Sequence, residues 1–176
     1  MYCKSRGFTL VELVMTMAIL MIVLAAAIPS LDELNRRNAA SAAHNMLSTG
    51  FAAARSHAVT TGALTTICPV APEGGCRSDG VWDAGWWIFI DTNGNNHLDP
   101  SEVVVRHQNQ IPTGVRIRSG RGRPRATFRA DGTSSGTNLS LRICTDSAVQ
   151  SGLILSNAGR VRVATAAERA AMAPCL

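Results

Sequence analysis

Residues 6–31 read RGFTLVELVMTMAILMIVLAAAIPSL, an apolar run with one carboxylate, Glu12, near its front. Lys4 and Arg6 make a basic leader ahead of it, and the next charge is Asp32. An ionised side chain at the centre of a bilayer costs ~2.5–3.5 kcal/mol even on lenient scales. Glu12 therefore needs a partner if this run sits in a membrane. From Phe8 to Ile28 the run is just long enough to cross one, which takes about 20 residues.

Two processing routes fit. An ordinary secretory signal would use Lys4 and Arg6 as its basic region and Leu13 to Leu24 as its apolar core. It would be cut at Ala25-Ala26-Ala27, leaving a soluble periplasmic protein that starts at Ile28. An acid at position 12 gains nothing on that route. The other route cuts ahead of the apolar run and keeps it as an anchor.

Beyond the run, Leu31, Leu34, Ala42, Met46, Phe51, Ala54 and Ala58 recur at helical spacing, with Arg36, Arg37, Asn38, Asn45 and Arg55 on other faces. The pattern predicts one long helix, bent near Pro29 and stopped at Gly62. His44 and His57 fall on it as partly exposed surface residues. From Thr65 onward strand patterns dominate. LTTIC, VWDAGWWIFID, EVVVRHQ, GVRIRSG, PRATFRADG, LSLRICT and GLILSNAGRVRVAT alternate with Gly, Asn and Asp turns. Trp86, Ile88 and Ile90 share one strand face and Trp87 and Phe89 the other, so that strand reads as central and its tryptophans as core. The expected class is α+β: a long N-terminal helix, membrane-spanning in its first half, packed on an antiparallel β-sandwich. The expected segments are a leader at 1–7, a transmembrane helix at 8–30, its amphipathic continuation at 31–61 and a β-rich periplasmic or extracellular domain at 62–176.

Cys3 lies in the leader. Cys68, Cys76, Cys144 and Cys175 form an even set that suits an oxidising compartment. Four cysteines allow three pairings, and sequence order favours Cys68–Cys76 and Cys144–Cys175. The second would contribute ~3–4 kcal/mol by chain entropy. There is no CxxC pair and no His at metal-ligand spacing from a Cys, which argues against zinc. No GxSxG, HExxH or ordered Ser/His/Asp set is present, so no enzyme and no cofactor are expected.

The net charge is +5, but between Val103 and Val163 ten arginines meet only Asp131 and Asp146, a local excess of eight positive charges. A GC-rich genome alone raises Arg and Ala, so placement matters more than number. Arg116 and Arg118 share one side of a strand, and Arg123, Arg125 and Arg129 another. Arg160 and Arg162 point out, with Val161 and Val163 in. With few acids to pair with, the field should persist toward a polyanion. Phe128 is the one aromatic residue in this region, which argues against base stacking and for backbone recognition.

The leader, Gly7 and Phe8-Thr9-Leu10-Val11-Glu12 resemble the type IV pilin and pseudopilin superfamily. The resemblance implies that a prepilin peptidase cuts after Gly7 and methylates the new amine on Phe8. It also implies that Glu12 neutralises a neighbouring subunit's N-terminal amine during assembly. WWIFIDTNGNNHLDPSE looks like the globular domain of the GspH/FimT group. Gly159-Arg160-Val161-Arg162 is similar to a Gly-Arg-x-Arg motif that contacts DNA in FimT-type proteins. The expectation is a FimT-like minor pilin of the bacterial inner membrane and assembled pilus. It would bind double-stranded DNA through Arg160 and Arg162, with Arg116, Arg118, Arg123 and Arg125 as further candidates, and serve natural transformation. The alternative is a GspH-like tip subunit of a type II secretion pseudopilus.

One loop stays open. Asp91, Asn93, Asn95, Asp99 and Glu102 match positions one, three, five, nine and twelve of a calcium loop, with Asn96 where that loop carries Gly. The competing reading is a tight hairpin whose side chains cap their own backbone.

Overall fold

The computed structural model describes residues 7–120 and 122–175, with the side chains of 26–29 outside that description. Cys3 and the basic leader lie outside the described residues, as do the Pro29 side chain and Arg121. The chain divides into two compact units that meet between Asn35 and Arg36.

Helix α1 runs Leu10–Thr61. Thr9 caps it, its hydroxyl accepting the Glu12 backbone N–H at 3.3 Å. Glu12 stands in the first turn, where a carboxylate complements the helix dipole. The helix ends at Gly62, whose N–H bonds the Ala58 carbonyl at 2.9 Å. In the first unit the apolar side chains from Phe8 to Leu24 are exposed, and the helix is long and apolar enough to cross a membrane.

In the second unit α1 buries Ala40, Ala43, Leu47, Phe51, Ala54 and Ala58. Phe51, Ala54 and Ala58 are buried as read, but Ala42 is exposed and Met46 half-buried, the buried positions ahead of Phe51 being Ala40, Ala43 and Leu47. Leu31 and Leu34, in the first unit, are exposed. The inner line is made of small residues, so the helix backbone can lie close to the sheets. Gly50 shows how close, since a Cβ there would stand 2.7 Å from Trp86 Nε1.

Two four-stranded antiparallel sheets follow. The first has the order β3-β2-β1-β5, from β1 (Thr65–Pro69), β2 (Trp86–Ile90), β3 (Val104–Gln108) and β5 (Ala126–Phe128). The second has the order β4-β6-β7-β8, from β4 (Val115–Ser119), β6 (Leu139–Thr145), β7 (Ala148–Leu155) and β8 (Val161–Val163). A short helix α2 (Ala166–Ala170) follows β8.

One core joins the inner face of α1 to both sheets, through Leu47, Phe51, Ile67, Trp82, Trp86, Ile88, Ile117, Phe128, Leu141 and Leu153. Phe51, Trp82 and Trp86 pack in series as tilted ring pairs with centroids 6.0 and 6.5 Å apart. Each large side chain buried this way contributes roughly 1.5–3 kcal/mol. Trp87 departs from the expectation for the three tryptophans. It is half-buried on the opposite face of β2, stacked on His107 at 3.6 Å. His57 is half-buried, its Nδ1 3.1 Å from Thr65 Oγ1. His44 Nδ1 lies 2.9 Å from Ser151 Oγ, and burial pushes its pKa down. Disulfides join Cys68 to Cys76 and Cys144 to Cys175. The second ties the C-terminal stretch to β6, where Arg142 Nη1 also donates to the Ala173 carbonyl at 3.0 Å.

Candidate functional site

The arginine-bearing strands β4 and β8 form the two edges of the second sheet. β4 alternates as read, with Val115 and Ile117 buried and Arg116 exposed. Arg118, however, does not face water freely. The segment Gly80–Asp83 runs along the open edge of β4, with Trp82 N–H donating to the Ile117 carbonyl and Ser119 N–H to the Gly80 carbonyl. It delivers Asp83, whose Oδ1 accepts Arg118 Nη1 at 2.5 Å and the Ile117 N–H at 2.7 Å. The Arg118 side chain is only 16 % exposed.

Arg160, just before β8, and Arg162 on it are exposed, but Val163 is 59 % exposed as well. The expected inward valine thus fails, because β8 is a three-residue edge strand and only Val161 packs against the core. Arg162 makes a two-pronged bond to Glu168, at 2.7 and 2.6 Å. Glu168 also caps α2, accepting the Thr165 N–H at 2.8 Å while Thr165 Oγ1 accepts the Glu168 N–H. The Arg162 guanidinium, aided by the Thr165 N–H, lowers the Glu168 carboxyl to about 2. The expected shortage of acids is therefore corrected. Asp83, well ahead of the arginine-rich stretch, and Glu168, just after it, both fold onto it, while Asp146 pairs with Arg36 of α1. Arg116 and Arg160 form no ion pair among the described residues.

Gly159 has φ +71°, and a Cβ on it would stand 1.9 Å from the Gly132 carbonyl oxygen. Two turns are pressed together here. Ser134 N–H donates to the Asn157 carbonyl at 2.8 Å, and Arg55 Nε of α1 donates to the Gly132 carbonyl at 3.0 Å. One turn carries exposed Arg129 and the other exposed Arg160. Arg55 is the member of this corner that the sequence did not single out.

Arg123 and Arg125 are not on an open face. Both are half-buried in a cleft of about 590 Å³ lined by Asn95, Asn96, Ser135 and Thr137. Arg123 donates to Ser134 Oγ at 2.5 Å and to the Thr137 carbonyl; Arg125 donates to the Asn96 carbonyl. Burial pushes both guanidinium pKa values down.

The loop from Asp91 to Glu102 is tightly bonded. Asp91 is 1 % exposed; its Oδ2 accepts Thr66 Oγ1 at 3.1 Å and the Asn96 N–H at 3.0 Å. Asn93 and Asn95 both donate to Asp99 Oδ2 at 2.8 Å, which holds the Asp99 carboxyl below its usual range. Glu102 accepts the N–H groups of Thr92 and Asp99 at 2.9 and 3.1 Å. Asn96 adopts φ +61°.

An apolar stem with an acid in its first turn, followed by antiparallel sheets packed on the lower half of the same helix, is the build of a pilin-type filament subunit. The profile of the family described as "Type II transport protein GspH" matches residues 43–165, and the prokaryotic N-terminal methylation motif matches residues 2–28. The fold is similar to that of the Pseudomonas aeruginosa type IV minor pilin FimU. One crystal form matches with TM-score 0.60 and 21 % identity, over 78 % of this chain and 94 % of that one. A second gives 0.53 and 20 %, over 76 % and 96 %. No curated protein matched the sequence. The chain belongs to the GspH/FimT family of the type IV pilin superfamily. That family is one of filament subunits rather than known enzymes, and the stem with its methylation motif marks a membrane-anchored pilus component.

Proposed function

We propose that this chain is a FimT-type minor pilin that binds the phosphate backbone of double-stranded DNA at the corner formed by Arg160, Arg129 and Arg162. The observation that supports it is the Gly159 turn, wedged against Gly132, which presents Arg160 to solvent with no ion pair among the described residues. Guanidinium groups suit phosphate oxygens in bidentate geometry. Binding of this kind carries no sequence preference and falls steeply with salt. Arg116 at the far edge is a weaker contributor. Arg118, Arg123 and Arg125 are engaged inside the domain and contribute field rather than contacts. Double charge reversal, Arg160→Glu with Arg162→Glu, is expected to abolish the gel shift of a DNA duplex by the detergent-purified chain and to impair transformation. Unchanged binding would remove the role assigned to the corner.

For assembly, a prepilin peptidase would cut between Gly7 and Phe8, leaving an amine on Phe8 that is then methylated. Glu12, exposed on the first turn, would meet the corresponding amine of a neighbouring subunit, with the β domain periplasmic before assembly. Mass spectrometry of the mature N-terminus would find methylated Phe8; a free Ile28 would sink this route.

The second reading is a structural tip subunit of a type II secretion pseudopilus. It is favoured by the capture of Arg118 and Arg162 by acids of the same chain and by the description of the matching family. A chain that leaves duplex DNA unbound while still entering filaments would establish that reading.

A further inference from the structure

We propose that the loop from Asp91 to Glu102 is a calcium site. The observation that carries it is one atom. Asp91 Oδ1 is buried and has no hydrogen-bond partner, in a residue only 1 % exposed. An unmet carboxylate oxygen in that setting is costly, by more than a neutral polar atom would be. Its sister oxygen is fixed on the inside of the loop, 3.0 Å from the Asn96 N–H, so Oδ1 is held within the same turn. Arg125 reaches this loop but spends its donor on the Asn96 carbonyl and leaves Asp91 Oδ1 unmet.

The surrounding donors are oxygens of the right kind. Asn93 Oδ1 accepts the Asn95 N–H at 3.0 Å, and Asn95 Oδ1 accepts the His97 N–H at 2.7 Å. Each amide oxygen is thereby oriented and keeps a second lone pair. Asp91, Asp99 and Glu102 bring three negative charges to a stretch with no Lys or Arg of its own, against the one nearby guanidinium of Arg125, which interacts with Asp91. No group of three His, Cys, Asp or Glu side chains among the described residues could hold a metal by itself. Amide oxygens and the His97 carbonyl must therefore complete the shell. A mixed shell of carboxylate, amide and carbonyl oxygens suits a large hard cation with 6–8 ligands, and suits magnesium or zinc poorly. Asn96, at φ +61°, makes the sharp turn that glycine makes in helical calcium loops. The flanking elements here are strands β2 and β3, so occupancy would stiffen the connection between them.

The full chain, purified in detergent and stripped with chelator, would be titrated with calcium chloride by calorimetry and melted with and without the ion. One saturable site per chain is expected, with affinity of order 10⁻⁴–10⁻³ M as in extracellular modules, and a melting point raised by several degrees at saturation. Asp91→Asn should weaken binding about tenfold or more by removing a charged ligand. Asn95→Ala, at an exposed position, should weaken it severalfold in a chain that melts normally without calcium, and serves alone if the first variant fails to fold. A folded wild-type chain with neither heat nor a melting shift would overturn the site. Asn95→Ala titrating like wild type would do the same for this loop, and magnesium giving an equal response would overturn the choice of ion.

Discussion

At one edge of the second sheet Arg118 is clamped by Asp83; at the other Arg162 is clamped by Glu168. Both arginines come from an Arg-x-Arg strand entered through a glycine of positive φ, Gly114 at +79° and Gly159 at +71°. The settings differ. Asp83 arrives on a segment that covers the β4 edge and also holds the Ile117 backbone, and the Arg118 side chain is largely buried. Glu168 arrives from α2, six residues on, and about half of the Arg162 side chain faces solvent. One pair belongs to the architecture of the domain. The other is an exposed latch, cheap to open. Equal sequence patterns acquire unequal roles from the segment that brings the counter-charge.

The glycines give the largest expected contrast. Gly159→Ala drives a Cβ into the Gly132 carbonyl and should cost ~3 kcal/mol or more, while Gly114→Ala meets open space and should cost only the ~1–2 kcal/mol of a left-handed backbone. Paired chemical denaturation would show it, and equal losses would break the distinction between a wedged and a free turn.

The acids come next. Asp83→Ala strands a largely buried guanidinium and should cost roughly 2–3 kcal/mol, below the usual figure for a fully buried pair because Asp83 is about a third exposed. Glu168→Gln keeps the cap on α2 but loses the ion pair with Arg162, so it should lower the melting point at neutral pH, by less than Asp83→Ala because the pair is exposed. The Glu168 carboxyl is lowered from 4.5 to about 2. Its contribution is therefore complete above about pH 4.5 and is lost as pH falls toward about 2. A stability–pH profile of Glu168→Gln should lack that acidic limb, and an unchanged limb would show that other carboxylates set it.

The smallest effect bears on the proposed function. Opening the latch by Glu168→Gln should tighten duplex binding about two- to fivefold, because one more guanidinium and one fewer carboxylate face the phosphates. Fluorescence anisotropy at fixed salt would read it. Weaker binding would mean that Glu168 orients Arg162 for DNA instead of restraining it.

Much of this was legible from residue pattern. The stem, the helix stop at Gly62, the central strand β2 and the β4 alternation follow from periodicities that local geometry obeys. The phase of α1 was less legible, because Ala40, Ala43 and Gly50 were chosen for closeness of approach, and small side chains leave little hydrophobic signal. Arg118 was misjudged because its partner lies far back in sequence, which alternation cannot register. Arg162 was readable in principle. Thr165-Ala166-Ala167-Glu168 spells a capping box, and a carboxylate fixed at the start of a helix just after a strand is placed to meet that strand's last arginine. Arg55 carried no signal, since its bond to Gly132 depends on how helix and turn pack.

The Cys144–Cys175 bond bears on that latch. With the chain anchored at β8 on one side and to β6 on the other, the intervening piece is a closed loop, and Glu168 rides on it as a tethered ligand. Such a carboxylate acts at a high effective concentration. Added salt or free anion would displace it less readily than the exposure of the pair alone implies, and cutting the sulfur–sulfur link would loosen the loop and lower that local concentration, with Glu168 still tethered six residues from Arg162.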